Sequence, residues 1–220
     1  MSNKGVFIAI EGPIGVGKTT LANILNNHFN YTLLREIVEE NPFLSKFYTD
    51  IKEYALQTEA FFLFNRIKQL EDTQNDFLNK GMGVVSDYHI IKNLIFAGIT
   101  LDKMQFYKYK QMYNIFINDL PQPDIIIYLN SKTDVLMNRI AMRDRSFERQ
   151  MDRNYIDELR SEYKYYFNPL SIKHNFISKE PIILEIDNSN LDFLNSETDR
   201  NFIIKKVEDA INSLGGQYNV

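Results

Sequence analysis

The stretch "VFIAIEGPIGVGKTTLANIL" (residues 6–25) decides the fold. Its first five residues, Val6 to Ile10, form a near-continuous apolar run. Such a run marks a strand buried on both faces, as in a parallel sheet. A helical pattern begins at Lys18, and Gly12, Gly15 and Gly17 lie between the two. Strand, glycine-rich turn and helix in that order open a βα unit. The pattern then repeats outward. "YTLLRE" (31–36), "MGVVSD" (82–87), "DIIIYLN" (124–130) and "PIILEID" (181–187) read as further strands. Helical patterns cover about 18–29, 51–79, 103–119, 133–143, 154–176 and 199–214. Pro121 and Pro123 close the helix before the fourth strand, and "NSNLDFLNSETD" (188–199) reads as a loop. The alternation predicts an α/β fold with a parallel sheet, in one domain spanning 1–220.

Composition narrows the class. A chain of 220 residues with 44% hydrophobic and 25% charged residues is long enough for a core without staples. The formal charge of −4 argues against nucleic acid as the main partner, since phosphate backbones call for a basic surface. With no cysteine, neither a disulfide frame nor a thiolate zinc site is possible, which suits a reducing cytoplasm. The N-terminus lacks the apolar core of a signal peptide, and no run of 18 apolar residues suggests a membrane span.

The turn itself carries chemistry. Gly12, Pro13, Ile14, Gly15, Val16, Gly17, Lys18 and Thr19 match G-x-x-x-x-G-K-[ST] at every fixed position, with Thr20 next in the helix. The glycines let backbone N–H groups turn inward around phosphates, and the helix N-terminus adds positive potential. Lys18 is placed for the β/γ-phosphates, and the Thr19 hydroxyl for Mg²⁺. The expected ligand is a nucleoside triphosphate. No N-K-x-D segment is present, which removes a guanine-reading GTPase. "MGVVSD" ends in an acid, Asp87, and that feature alone leaves an ATPase open.

A small phosphotransferase needs an acceptor pocket and a mobile cationic lid. "RIAMRDRSFER" places Arg139, Arg143, Arg145 and Arg149 within eleven residues, giving a lid at about 143–150. Permanently charged, bidentate guanidinium groups suit the charge of a transferring phosphoryl group. A solvated basic helix end is the competing reading.

Together, P-loop, acidic strand end, aromatic helix and arginine lid resemble the deoxynucleoside kinase family over nearly the whole chain. The nearest likeness is its bacterial purine branch. The resemblance implies a P-loop kinase fold: a five-stranded parallel sheet flanked by helices, with an arginine-rich lid. It also implies a homodimer and ATP- and Mg²⁺-dependent phosphorylation of a deoxyribonucleoside 5′-hydroxyl. By the same resemblance, Glu36 in "LLREIVEENP" is the candidate general base, with Glu39 and Glu40 as neighbouring competitors. Ile37 stands where the family has proline. Tyr48 and Glu148 match groups that hold the sugar 3′-hydroxyl, and Arg139, Arg143 and Arg145 match phosphate-binding arginines. Asp87 keeps the acid linked to Mg²⁺, and Asn93 matches a base-facing position. The family's arginine after that acid is missing from "DYH" (87–89), so His89 or a lid arginine replaces it or the site is arranged differently; His89 reads equally as a satisfied core histidine.

The helix "LQTEAFFLFNR" (56–66) then reads as the wall of a nucleoside pocket, where Glu59 stands at a position usually held by glutamine. Glu59 and Arg66 fall within roughly 20° of one helix face, about 10 Å apart, with Phe62 and Leu63 between them. An ionised carboxylate offers only acceptors, and guanine alone presents two adjacent donors, N1–H and N2–H₂. Arg66 is suited to guanine O6 and N7. The expected substrate is deoxyguanosine. Deoxyadenosine is the alternative, since a protonated Glu59 has one donor to offer adenine. Tyr107, Tyr109 and Tyr113 could stack on a base, but their helical spacing favours core or dimer packing. Two rival readings are a nucleoside monophosphate kinase, disfavoured by the acidic "EIVEEN" segment, and a nucleotide-binding protein without turnover.

Overall fold

A computed structural model describes residues 4–38, 40–149, 151–168, 171 and 180–215. Glu39, the end of the expected lid and most of 167–176 fall outside or at the edge of that set. The strands are β1 (Phe7–Glu11), β2 (Thr32–Leu34), β3 (Val84–Ser86), β4 (Ile125–Asn130) and β5 (Ile182–Asp187). They form one five-stranded sheet in the order β2-β3-β1-β4-β5, and every pairing is parallel. The register Leu34↔Ser86 and Ala9↔Ser86 brings the carboxyl ends of β1, β2 and β3 to one edge. Parallel α/β sheets place their ligands at that edge.

The alternation along β1 and β4 builds two cores. Ile8, Ile10, Ile125 and Ile127 face one layer; Phe7, Ala9, Ile126 and Tyr128 face the other. All eight are buried, and full burial of an isoleucine is worth about 1.5–3 kcal/mol. On the first face pack α1 (Lys18–Phe29), α6 (Thr133–Arg143) and the C-terminal α8 (Glu197–Ser213), through Leu21, Leu136 and Val207. On the second pack α3 (Ile51–Asp76), α4 (Lys92–Thr100), α5 (Lys103–Ile117) and α7 (Arg153–Tyr166), through Leu63, Ile95, Tyr109 and Leu159. A four-residue helix, α2 (Leu44–Phe47), precedes α3.

Several predicted boundaries agree to the residue, including 18–29 and 133–143. Others shift for visible reasons. The expected helix 51–79 ends at Asp76 and gives way to a 3₁₀ turn at Leu78–Lys80. The last helix starts at Glu197, inside the expected loop, because the Ser196 side chain caps it by accepting from the Asp199 N–H at 3.2 Å. The alternation list had no helix at 92–100. Buried Leu94, Ile95 and Ala97 leave α4 little polar face, and its N-cap, Ile91, supplies no start signal. No helix among the described residues is long and apolar enough to cross a membrane.

Candidate active site

At the end of β1 the chain turns sharply. Gly12, Gly15 and Gly17 all adopt positive φ, at 149°, 80° and 99°. A Cβ on Gly12 would lie 2.2 Å from the Leu129 carbonyl oxygen, so the first turn admits only glycine against β4. Gly17, left-handed, opens α1. Lys18 Nζ donates to the carbonyls of Gly12 (2.6 Å) and Pro13 (3.0 Å), which holds its ammonium over the mouth of the loop. Burial first, and the ammonium of Lys92 second, pull Lys18 down to about 8, against the pull of Glu11, Glu36 and Asp87.

The strand-edge register gathers three carboxylates, Asp87, Glu11 and Glu36, around this loop. Asp87 accepts from the Thr19 hydroxyl (2.7 Å) and from the Glu36 backbone N–H (2.7 Å). The hydroxyl and carboxylate are hard oxygen donors of the kind Mg²⁺ takes alongside phosphate oxygens and water. No group of three or more acidic, imidazole or thiol side chains that could hold a metal ion occurs among the described residues. Glu11, which the sequence reading passed over, is fully buried. Its carboxylate accepts from the N–H groups of Gly12 (2.9 Å) and His89 (2.6 Å) and from the Tyr163 hydroxyl (2.8 Å). It ties the phosphate loop to β3 and α7. Its signal in sequence was a lone acid closing an apolar strand.

Glu36 is the third carboxylate. Arg66 Nη2 donates to its Oε1, and Lys92 Nζ donates to its Oε2 at 2.7 Å. Against the upward push of burial, Lys92 and Arg66 hold the Glu36 carboxyl well below the usual carboxylate range. Arg66, expected at guanine O6 and N7, lines the cavity with one end of its guanidinium paired to Glu36. Its Nε has no hydrogen-bond partner among the described residues. The cations on Glu36 are neither His89 nor a lid arginine. Burial lowers His89 to about 3, and its Nδ1 accepts from the Ile91 N–H at 3.2 Å, so it is a neutral core histidine. Lys92 stands on Glu36 instead. Glu40, a competitor for the same role, is exposed at the cavity rim.

A cavity of about 1260 Å³ runs from the phosphate loop to α3. Its far end is lined by Phe47, Tyr48, Glu59, Phe62, Arg66 and Phe96. Glu59 is 2% exposed, and burial raises its carboxyl to about 7, against the pull of Arg66, Thr100 and Lys92. The Thr100 hydroxyl lies 3.3 Å from Glu59 Oε1 and 2.9 Å from the Phe96 carbonyl. With one hydrogen, that hydroxyl serves one acceptor at a time; a protonated Glu59 donates to it instead. Asn93, expected to face the base, is not among the residues that line the cavity. Its Nδ2 donates to the Tyr109 hydroxyl (2.8 Å), which donates to the Glu59 carbonyl (3.1 Å), so Asn93 braces the pocket wall from behind. Tyr109 and Tyr113 are core residues, as their spacing implied, and Tyr107 is exposed.

The lid closes over the middle. Asp144, left-handed at φ 50°, ends α6, and Ser146–Glu148 forms a 3₁₀ turn. Arg143 grips buried Glu148 with contacts of 2.5, 2.5 and 3.1 Å, and Arg145 approaches it at 3.9 Å. The Phe147 ring stacks on Tyr48 at 5.8 Å. Tyr48 and Glu148, a hundred residues apart, thus both line the cavity. Exposed Arg149 pairs with Asp144 at 2.7 Å and pins the lid's own turn. Arg139 also lines the cavity, donating to Asn188 Oδ1 (3.1 Å) and to the carbonyls of Asn188 (3.2 Å) and Leu191 (3.4 Å).

A phosphate cradle, a cation-clamped carboxylate and an enclosed pocket that continues from them define a P-loop phosphotransferase for a small acceptor. The deoxynucleoside kinase family matches residues 8–212. The chain belongs to that family and is a deoxynucleoside kinase. It is similar to a deoxyguanosine kinase of Bacillus subtilis (strain 168): 44% identical over 209 residues, covering 95% of this chain and 99% of the relative. A deoxyadenosine/deoxycytidine kinase from the same organism is 27% identical over 216 residues, covering 94% of each. Among solved structures, deoxyadenosine kinase from M. mycoides with bound dATP superposes at a TM-score of 0.77 with 25% identity, covering 92% of this chain and 99% of the other.

Proposed function

We propose that this kinase transfers the γ-phosphoryl group of ATP to the 5′-hydroxyl of deoxyguanosine, as one domain acting in purine salvage in the cytoplasm. The observation that carries the base assignment is Glu59, a buried ionisable acceptor on the pocket wall where an amide would accept either purine. The 44% identity to a deoxyguanosine kinase supports the same reading. Guanine N1–H and N2–H₂ satisfy an ionised Glu59 with two hydrogen bonds. Adenine sets the N1 lone pair against it, at a cost of about 1–3 kcal/mol. Binding guanine also favours the ionised form that burial opposes.

In this reading Tyr48 and Glu148 hold the sugar, and Phe62 packs on the base. Thr19 and Asp87 would hold Mg²⁺, which supplies charge neutralisation across the phosphates when bound. Gly12 to Thr20 and Lys18 cradle the nucleotide, and Arg139, Arg143 and Arg145 supply the lid's positive charge. The 5′-oxygen forms the new O–P bond as the bond to the β,γ-bridging oxygen breaks. ADP leaves with that electron pair, and Glu36 takes the hydroxyl proton. A carboxylate clamped by two cations is a weak base. It suffices because in a loose transition state the attacking oxygen becomes acidic only as its bond to phosphorus forms. The carboxylates of Glu36 and Glu148 at the acceptor end disfavour a substrate that already carries a 5′-phosphate.

The exposed apolar face of α3 and α5, where Phe64 meets Phe116 at 5.9 Å beside exposed Ile115, supports a homodimer. Phe116→Glu should convert it to monomers by sedimentation; an unchanged mass would remove that face. The substrate reading is tested with the four deoxynucleosides, ATP and Mg²⁺. Deoxyguanosine should give the highest kcat/KM, and an equal value for deoxyadenosine or deoxycytidine would sink it.

A further inference from the structure

Lys92 occupies the first position of α4, and its side chain is 9% exposed yet lines the cavity. An ammonium so enclosed needs a partner. Its Nζ donates to Glu36 Oε2 at 2.7 Å while lying 5.4 Å from the Phe96 ring centroid, and its charge reaches Lys18 of the phosphate loop. Arg66, from α3, holds the other carboxylate oxygen. Two donors from two helices therefore grip one carboxylate, and its backbone N–H is fixed by Asp87 at 2.7 Å.

We propose that Lys92 is a positioning residue for phosphoryl transfer: together with Arg66 it fixes the plane of the Glu36 carboxylate at the point where the acceptor hydroxyl enters. This rests on the reading of Glu36 as the group that meets the 5′-hydroxyl. The terminal torsion of a glutamate is soft, so a carboxylate held at one oxygen swings about its last bond. Held at both, it keeps one lone pair aimed at the acceptor and keeps the geometry through the reaction. Lys92, five residues past Asp87, reaches the carboxylate from α4. Simple neutralisation of a buried acid would use the same contact, so the test must separate orientation from charge balance.

The full chain is assayed with its best deoxynucleoside as Lys92→Met, Lys92→Ala, Glu36→Gln and the double variant Glu36→Gln/Lys92→Met. Lys92→Met should lower kcat about thirtyfold or more while changing the nucleoside KM less than about threefold. Ethylammonium added to Lys92→Ala should restore kcat at least about fivefold, because it refills the donor without changing the fold. In the Glu36→Gln background, Lys92→Met should cost less than about threefold, since the group it positions is gone. A loss of the same size in both backgrounds, or no loss in Lys92→Met, overturns the role of Lys92. Full kcat in Glu36→Gln overturns the role of Glu36 itself, which distinguishes the two failures. Should Lys92→Met not fold, the double variant removes both charges together: kcat equal to Glu36→Gln alone supports the proposal, and a further fall of tenfold overturns it.

Discussion

The two ends of the cavity are built on different principles. At the phosphate-loop end the chain offers backbone N–H groups and three left-handed glycines within one contiguous stretch, with Lys18 folded back on its own loop. At the other end it offers ionisable side chains from the segment after β2, from α3 and α4 and from the lid, and they pair with one another: Glu36 with Arg66 and Lys92, Glu148 with Arg143. A backbone cradle has one geometry and one job. A set of buried charges can be paired in several ways, and each pairing assigns different work to the same residues.

The largest expected effect breaks the phosphate-loop end. Lys18→Met should lower kcat/KM by about a thousandfold or more with every deoxynucleoside alike, since it removes charge from the phosphates and touches no base contact. A loss confined to one nucleoside would show that the two ends are not separate. Next in size, Glu59→Gln should cost about tenfold or more of the deoxyguanosine over deoxyadenosine preference while leaving the KM for ATP unchanged. Unchanged selectivity would take Glu59 out of base reading.

The pH dependence sharpens the same contrast. Burial raises Glu59 to about 7 from 4.5 in the unfolded chain. The folded state then favours the protonated form, so this contribution to stability is present below about 4.5 and is lost as pH rises through about 7. Glu59→Gln, measured by thermal melting without ligand, should gain on the parent between pH 5 and 8 by on the order of 3 kcal/mol. Selectivity runs in the opposite sense: the preference for deoxyguanosine should grow as pH rises through 7. A flat profile in both measurements would mean that Glu59 does not titrate in the pocket. The smallest effect belongs to Asn93→Leu. Losing its bond to Tyr109 should cost about 1 kcal/mol of stability and change the base preference less than twofold. A large change in preference would return Asn93 to the pocket.

Much of this could be read along the chain because its causes are local. The βα alternation, the glycine turn, the α1 and α6 boundaries and the arginine-rich lid all follow from neighbours in sequence. Helix α4 escaped because burial on several faces erases the amphipathic period, and Glu11 escaped because one acid at a strand end looks like an ordinary cap on the sheet. The pairing of Arg66 with Glu36 escaped for a similar reason. Helical spacing put it on the same stripe as Glu59, but nothing along the chain places Glu36 or Lys92 beside it.

By itself, then, the sequence determined a parallel α/β kinase with a phosphate loop, because a turn that wraps phosphate is written in contiguous glycines and a lysine. Only the tertiary structure decided which buried charges neutralise each other. Three carboxyl-terminal strand ends and two helices converge on one site, and Glu36 is paired there with Arg66 and Lys92 whatever their distance in sequence.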